Sequence, residues 1–358
     1  MPGHGLALSS ILVTTRVLVV GTFLPASQGT RQVGAELAER LAGAGHPVVV
    51  TSARTSRLSR LVDMMATVAL RRREYDLAYV EVYSGRSFAY SEAACALLRR
   101  LRVPIVIALH GGNLQTFAAR WPRRVARLLR CGEVVVAPSP YLAEVARTCG
   151  VDVEIIPNAI SIGSFRPRPP RGPAGKRLVW LRAFHSIYNP SLAPLVLAEV
   201  LETHPGTTLT MIGADKRDGS LASAMAAAEQ SGCRHLVEFV GPVEKRDVPG
   251  RLAEADIFVN TTNVDNAPVS VIEAMAAGLC IVSTDVGGIP RLLSDGETAL
   301  LVPPRDAAAM AAAVRRVLDD PLLAERLRRG AVAAAAQYDW AAILPAWSEL
   351  FSRVPGHR

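Results

Sequence analysis

Over almost its whole length the chain alternates short apolar, β-branched runs with longer stretches in which apolar positions recur every three or four residues. The apolar runs predict strands at 16–20, 47–51, 76–82, 104–109, 133–137 and 153–156, and the helical spacing predicts helices near 30–43, 58–71, 88–101, 117–130 and 139–148. Strand and helix in repeated succession make a parallel, doubly wound sheet, because parallel neighbours need a long crossover between them. The alternation breaks at Arg166–Lys176, which holds four prolines and two glycines. It restarts with strands at 177–182, 207–212, 236–240, 256–260, 279–284 and 299–302 and helices near 191–203, 219–232, 246–254, 268–277 and 288–294. After Val302 only helices are predicted. Asp306 reads as the N-cap of an Ala-rich helix, and Trp340 to Val354 as a last helix with Ile343, Trp347, Leu350 and Phe351 on one face. The expectation is α/β: two Rossmann-like domains facing across a cleft, 1–168 and 176–338.

Composition narrows the class. Of the 358 residues half are hydrophobic and 20% charged, which excludes a disordered chain and suits two domains with their own cores. Cys95, Cys131, Cys149, Cys233 and Cys280 form no CxxC pair or metal-spaced cluster, so they read as core thiols in a reducing cytosol. Arg16 interrupts the apolar stretch Leu6 to Val20, which also lacks the basic start of a signal peptide; residues 1–15 are expected to be an unstructured leader. Charge is uneven: residues 1–170 hold 21 Lys and Arg against 11 Asp and Glu, a net of +10, which leaves −2 for the remainder of the +8 chain.

In open α/β sheets ligands bind beyond the carboxyl ends of the strands, so the chemistry is sought in Gly21–Thr30, His110–Asn113, Arg182–Asn189, Gly213–Gly219, Asn260–Pro268 and Asp285–Pro290. These loops hold no GxGxxG after the first strand, and the chain has no GxxxxGK[ST] and no GxSxG, which argues against dehydrogenases, P-loop NTPases and α/β-hydrolases. Asn260 to Gly278 is the most informative stretch. A buried strand ends in a polar loop, Pro268 is set up as the first helical residue, and Gly278 closes the helix. The backbone N–H groups and dipole of such a helix suit a diphosphate, with Asn266, Ala267, Pro268, Val269 and Ser270 around it. Glu273 is placed to reach a diol and Asp265 a sugar hydroxyl. Spacing alone equally fits an ordinary capping acid and a solvated helical Glu.

The run Asp265-x7-Glu273, Ala274-Met-Ala-Ala-Gly278, Gly287-Gly288-Ile-Pro290 and Leu301-Val-Pro-Pro304-Arg-Asp306 resembles the group 1 (family 4) glycosyltransferases. His110-Gly111-Gly112, Ser139-x-Tyr141-Leu142 and Ile156-Pro157-Asn158 extend the resemblance over nearly the whole chain. It implies a GT-B fold, with a C-terminal helix (about 339–358) returning to the N-terminal domain, and retaining transfer of a sugar from a nucleotide diphosphate donor held mainly by the C-terminal domain. Carried over, Glu273 binds the ribose hydroxyls, Asp265 stands where the family has the first Glu, and Arg182 offsets diphosphate charge. The family's Lys-Gly about five residues after that Arg is missing; Lys216, in the loop begun by Gly213, or His185 is the candidate replacement. His110 is expected to contact the donor near the reacting centre, while Gly29, Thr30, Gly111 and Gly112 bring backbone close to acceptor or diphosphate. Asn113, Ser139 and Asn158 read equally as turn and cap residues. The resemblance requires no metal and no cofactor beyond the nucleotide-sugar.

Arg120, Arg123, Arg124, Arg127 and Arg130 recur around Trp121, Val125, Leu128 and Leu129 and, with Arg71-Arg72-Arg73, suit an anionic membrane surface or a phosphorylated acceptor; a solvated face fits equally. Nucleic acid is not expected, because no aromatics interleave with the arginines. The leading expectation is a cytoplasmic, peripherally membrane-associated glycosyltransferase acting on a cell-envelope polysaccharide, glycolipid or other glycoconjugate. The alternatives are a non-catalytic nucleotide- or carbohydrate-binding protein of the same fold, or a nucleotide-sugar epimerase.

Overall fold

The computed structural model describes residues 15–23, 33–167 and 175–355. Strands β1 (Val17–Val20), β2 (Val48–Val50), β3 (Leu77–Val82), β4 (Ile105–Leu109), β5 (Val134–Ala137) and β6 (Glu154–Ile155) form one sheet in the order β2-β1-β3-β4-β5-β6. Strands β7 (Arg177–Leu181), β8 (Thr208–Ile212), β9 (Val237–Gly241), β10 (Ile257–Asn260), β11 (Cys280–Thr284) and β12 (Leu300–Val302) form a second, in the order β12-β11-β10-β7-β8-β9. All pairings within them are parallel.

Helices cover both faces of each sheet, as strands apolar on both sides require. On the first sheet, α1 (Val33–Gly43) occupies one face, and α2 (Arg57–Leu70), α3 (Ser87–Arg100), α4 (Leu114–Arg120), α5 (Pro122–Leu129) and α6 (Pro140–Thr148) the other. On the second, α7 (Leu192–Leu201), α8 (Ser220–Gln230) and α12 (Ala307–Asp319) lie opposite α9 (Val248–Ala253), α10 (Val269–Ala276) and α11 (Ile289–Leu292), and α13 (Pro321–Ala335) contributes to both layers. The last helix, α14 (Trp340–Arg353), crosses back to the first sheet beside α1. Its Trp340, Ile343, Trp347, Leu350 and Phe351 are buried there, each contributing about 1.5–3 kcal/mol of apolar transfer.

The predicted strands and most helices appear where the pattern put them. Three differ for local reasons. The helix expected over 117–130 is two: Pro122 disfavours helical geometry at Trp121, whose φ is −131°, and opens α5 itself. The Ala-rich segment after Asp306 likewise breaks at Asp320, whose carboxylate caps α13. Pro268 is the extended N-cap of α10, which begins at Val269.

Each sheet has one place where successive connections diverge to opposite sides: between β1 and β3 in the first, and between β7 and β10 in the second. Such switch points open the crevices in which α/β folds bind ligands. In the second sheet β7 and β10 pair only through Ile257–Leu178 and Phe258–Val179, so their last residues splay apart.

Candidate active site

The loop after β7 begins at Arg182 and the loop after β10 carries Asp265, so both residues stand over the second switch point. The Arg182 guanidinium donates to Asp265 Oδ2, with 15% and 7% of the two side chains exposed. It also lies 4.0 Å from the centre of the Tyr188 ring. The two loops are sewn together beneath this pair: Trp180 Nε1 donates to Thr261 Oγ1 (2.9 Å), Thr261 Oγ1 to Tyr188 O (2.8 Å), and the Asn263 N–H to Ile187 O (2.8 Å). Burial pushes the Asp265 carboxyl upward while Arg182 opposes the rise; burial works against the Arg182 cation, but Asp265 and Tyr188 outweigh it and it stays charged. Asp265 is thus a buried ion-pair partner of Arg182.

Behind it, the 265–268 loop is packed on backbone. Gly288 N–H donates to Asp265 O (3.0 Å), and a Cβ on Gly287 or Gly288 would stand 2.0 Å from the carbonyl of Asp265 or Asn266. From the opposite sheet Gly112 approaches so closely that a Cβ there would lie 3.0 Å from Asp265 Cα. Ser139, the N-cap of α6, donates to Asn266 Oδ1, and Asn158 Nδ2 donates to Ala267 O at 2.8 Å. Asn158 therefore bridges the cleft, and is not the local turn residue that was the simpler sequence reading.

The α10 N-terminus has no side-chain cap, so its first N–H groups are left for another acceptor. Ser270 Oγ, in its first turn, and Arg182 Nε are both buried without a hydrogen-bond partner. Buried donors are nearly always satisfied, so this cluster is shaped for an anionic group. Glu273 follows one turn later, itself buried, and takes a 2.5 Å hydrogen bond on Oε1 from Lys245 Nζ. Burial raises the Glu273 carboxyl, and Lys245 draws it back. Lys245 was missed by the sequence reading, which looked for a cation near Arg182. Lys216 is exposed, its backbone N–H donating to Phe184 O, and its ammonium takes no hydrogen bond or ion pair among the described residues. His185 spends Nδ1 on the Ile187 N–H. Gly213 has φ +154° and passes so near the Arg182 carbonyl that no Cβ fits between them.

Across the cleft, His110 is buried, with Nε2 3.1 Å from Tyr79 Oη and 3.7 Å from Glu81 Oε1, and its ring stacked on Tyr83 at 5.2 Å. Burial lowers its pKa to about 4, so the imidazole is neutral and faces inward more than the sequence implied. Glu81 was also missed, although a lone acid in the apolar run Leu77-Ala-Tyr-Val-Glu-Val82 is itself a signal. It stands at the first switch point, accepts the Gly34 N–H of α1 at 2.8 Å, and fills space that a Cβ on Gly21 or Gly34 would take. Burial pushes its carboxyl up to about 7, against the Gly34 N–H and Tyr83 hydroxyl. Gly29 and Thr30 lie outside the described residues. Gly111, with φ +84°, makes the turn after His110.

The basic segment is divided. Arg124 is committed to Glu92 of α3 and lies over Phe88 and Phe117, and Arg130 donates to Cys149 O. Arg120, Arg123 and Arg127 are exposed, as is Trp121. The five cysteines are free. Among the described residues no group of three or more His, Cys, Asp or Glu is placed to hold a metal ion, and no helix is long and apolar enough to cross a membrane.

Residues 28–163 match the family model Glycosyltransferase Family 4, and residues 184–320 match Glycosyl transferases group 1. The two matches take in all of the two sheets but β1 and β7, and the chain belongs to the group 1 (family 4) glycosyltransferases, with the GT-B fold. Glycogen synthase of Mycobacterium tuberculosis is 30% identical over 204 residues, 56% of this chain and 48% of that protein. D-inositol 3-phosphate glycosyltransferase of Frankia alni is 25% identical over 296 residues, 75% and 73% of the two chains. The match to the glycogen synthase thus spans about half of that relative's length. Among solved structures, sucrose-phosphate synthase of Thermosynechococcus elongatus superposes with TM-score 0.77 over 95% of this chain and 98% of its own, at 18% identity. HepE of Anabaena in complex with UDP and glucose gives 0.75 over 94% and 99%, also at 18%. These structures share the fold.

The Glu81 carboxyl generates a pH signature of its own. Its folded value lies above the unfolded one, so the native state holds the extra proton and the stability tied to it is lost as pH rises through about 7. Glu81→Gln keeps an acceptor for Gly34 and removes the charge. Its melting temperature relative to the parent should therefore be higher at about pH 8.5 than at about pH 5, and an offset equal at both pH values would refute a neutral-range titration there.

Proposed function

We propose that this protein is a retaining, metal-independent glycosyltransferase that moves a sugar from a nucleotide diphosphate to a hydroxyl of a cell-envelope polysaccharide, glycolipid or other glycoconjugate. The observation that carries this reading is the set of unsatisfied buried donors at α10 beside a buried carboxylate: Ser270 Oγ, Arg182 Nε and the uncapped N–H groups, with Glu273 one turn on. The donors suit a diphosphate and the carboxylate a ribose diol. HepE of Anabaena, which shares the fold, binds UDP and glucose.

On this reading 176–338 is the donor domain, and 1–168 with the last helix is the acceptor domain. Asp265 aligns Arg182 and faces the donor sugar, and neutral His110 contacts it from the other side. The bond from the anomeric carbon to the diphosphate oxygen breaks, the acceptor oxygen joins the same face, and its proton passes to the departing phosphate. The protein contributes positioning and stabilisation of the diphosphate charge.

Glu273→Ala should reduce nucleotide affinity at least tenfold, about 1.4 kcal/mol, as titration calorimetry would read. Because Glu273 is buried against Lys245, its melting temperature is followed in parallel; parental affinity in a folded variant would overturn the ribose assignment. Release of nucleoside diphosphate from a nucleotide-sugar panel should continue in EDTA, since Arg182 and α10 carry the diphosphate, and a strict Mg²⁺ or Mn²⁺ requirement would contradict that.

Peripheral binding to an anionic membrane belongs to the same proposal. The layer formed by α2, α3, α4 and α5 carries exposed Arg120, Arg123 and Arg127, and α2 turns out Leu58, Val62 and Leu70, 73%, 61% and 85% exposed, between Arg57 and Arg71. Apolar and cationic groups together suit the headgroup region, at about 1 kcal/mol per arginine near an anionic surface. Replacing Arg120, Arg123 and Arg127 with Gln should weaken binding to phosphatidylglycerol-containing vesicles and flatten its salt dependence while leaving soluble donor hydrolysis near parental. Vesicle binding equal to the parent's would remove the membrane from this reading.

A further inference from the structure

Lys245 sits in the turn after β9, outside the motifs that drew attention in the sequence, and is one of only three lysines in the chain. Its ammonium meets Glu273 Oε1 at 2.5 Å, with 31% of the lysine side chain and 5% of the glutamate side chain exposed. Two other charged groups bear on that carboxylate: Arg182 from the loop after β7 and Glu36 from α1 of the opposite sheet. On the other side of α10, Arg328 and Glu325 of α13 pair with each other. Burial and Glu36 act against the charged form of Glu273, while Lys245 and Arg182 act for it. Arg182 is already committed to Asp265, so Lys245 is the cation bonded directly to Glu273.

We propose that Lys245 is a positioning residue of the donor site: it holds Glu273 as a carboxylate with one oxygen occupied and the other left to accept a vicinal diol. The inference rests on the reading of Glu273 as the ribose-binding group. Two adjacent hydroxyls can both donate to a bare carboxylate, whereas a protonated carboxyl keeps its own hydrogen and loses much of its accepting capacity. With no lysine in the loop after Arg182, the cation beside the donor carboxylate comes from the turn after β9.

The test titrates UDP, ADP and GDP against the parent, Lys245→Met, Lys245→Arg and Glu273→Gln between about pH 6 and pH 9, following whichever nucleotide the parent binds. Affinities are expressed relative to the parent at each pH, which cancels titration of the diphosphate itself. Without the ammonium, burial and Glu36 raise the Glu273 carboxyl further, and diol binding is lost as pH falls. Lys245→Met should therefore bind about tenfold more weakly than the parent near pH 6 and within about twofold near pH 9, while Lys245→Arg keeps the parental profile. Should Lys245→Met fail to show a parental melting transition, Lys245→Gln replaces it. A loss equal at every pH, no loss at all, or failure of Lys245→Arg to restore the profile overturns the inference. Glu273→Gln separates the two levels: parental affinity there refutes the ribose reading itself, whereas lost affinity beside a pH-independent Lys245 variant refutes only the role of Lys245.

Discussion

Taking a guanidinium and a carboxylate out of water costs several kcal/mol per ion, and their attraction offsets this only where both are held in good geometry. Arg182 and Asp265 meet that condition because they leave neighbouring strands at the point where the strands diverge. Tyr188 supports the guanidinium from beneath, and Gly287, Gly288 and Gly112 let backbone close around Asp265 from both sides of the cleft. Loss of either charge would leave the other buried and alone, at a typical cost of about 3–5 kcal/mol. The pair therefore fixes the loop it belongs to, and through that loop the entry of α10 and the place of Glu273.

The two switch points carry opposite electrical character. In the second sheet a helix N-terminus and Arg182 Nε are without a partner, and the acids beside them, Asp265 and Glu273, are each engaged by a cation. In the first sheet the N-terminus of α1 already has an internal acceptor, the carboxyl of Glu81. On the proposed function the diphosphate belongs to the second of these crevices. The side facing it offers a neutral histidine, two tyrosines and a carboxyl poised near neutrality, a set suited to hydroxyls.

Across the cleft Ser139 and Asn158 hydrogen-bond to the loop that carries Asp265, Gly112 packs against its backbone, and the chain itself returns through α14. Trp347 of that helix packs edge-on to Tyr79, whose hydroxyl touches His110, so the end of the chain buttresses a residue of the cleft. Its apolar face thus serves both folding and the site.

The sequence determined the order of strands and helices, because apolar periodicity is a local property that each segment carries with it. Through the loops at strand ends and the family resemblance together it also marked Arg182, Asp265, Glu273 and His110. Its one misjudged long helix in the first half failed at Trp121–Pro122, where a local rule about proline outranked the apolar spacing. What the sequence left undecided depends on distance in space. Lys245 stands 28 positions before Glu273, Ser139 stands 127 before Asn266, and Asn158 stands 109 before Ala267. No local pattern couples such positions; only the stacking of strands into sheets and the facing of one sheet by the other brings them together. Burial has the same origin: Glu81, His110 and Glu273 are ordinary titrating residues in the sequence, and their shifted protonation follows from the water that folding removes around them.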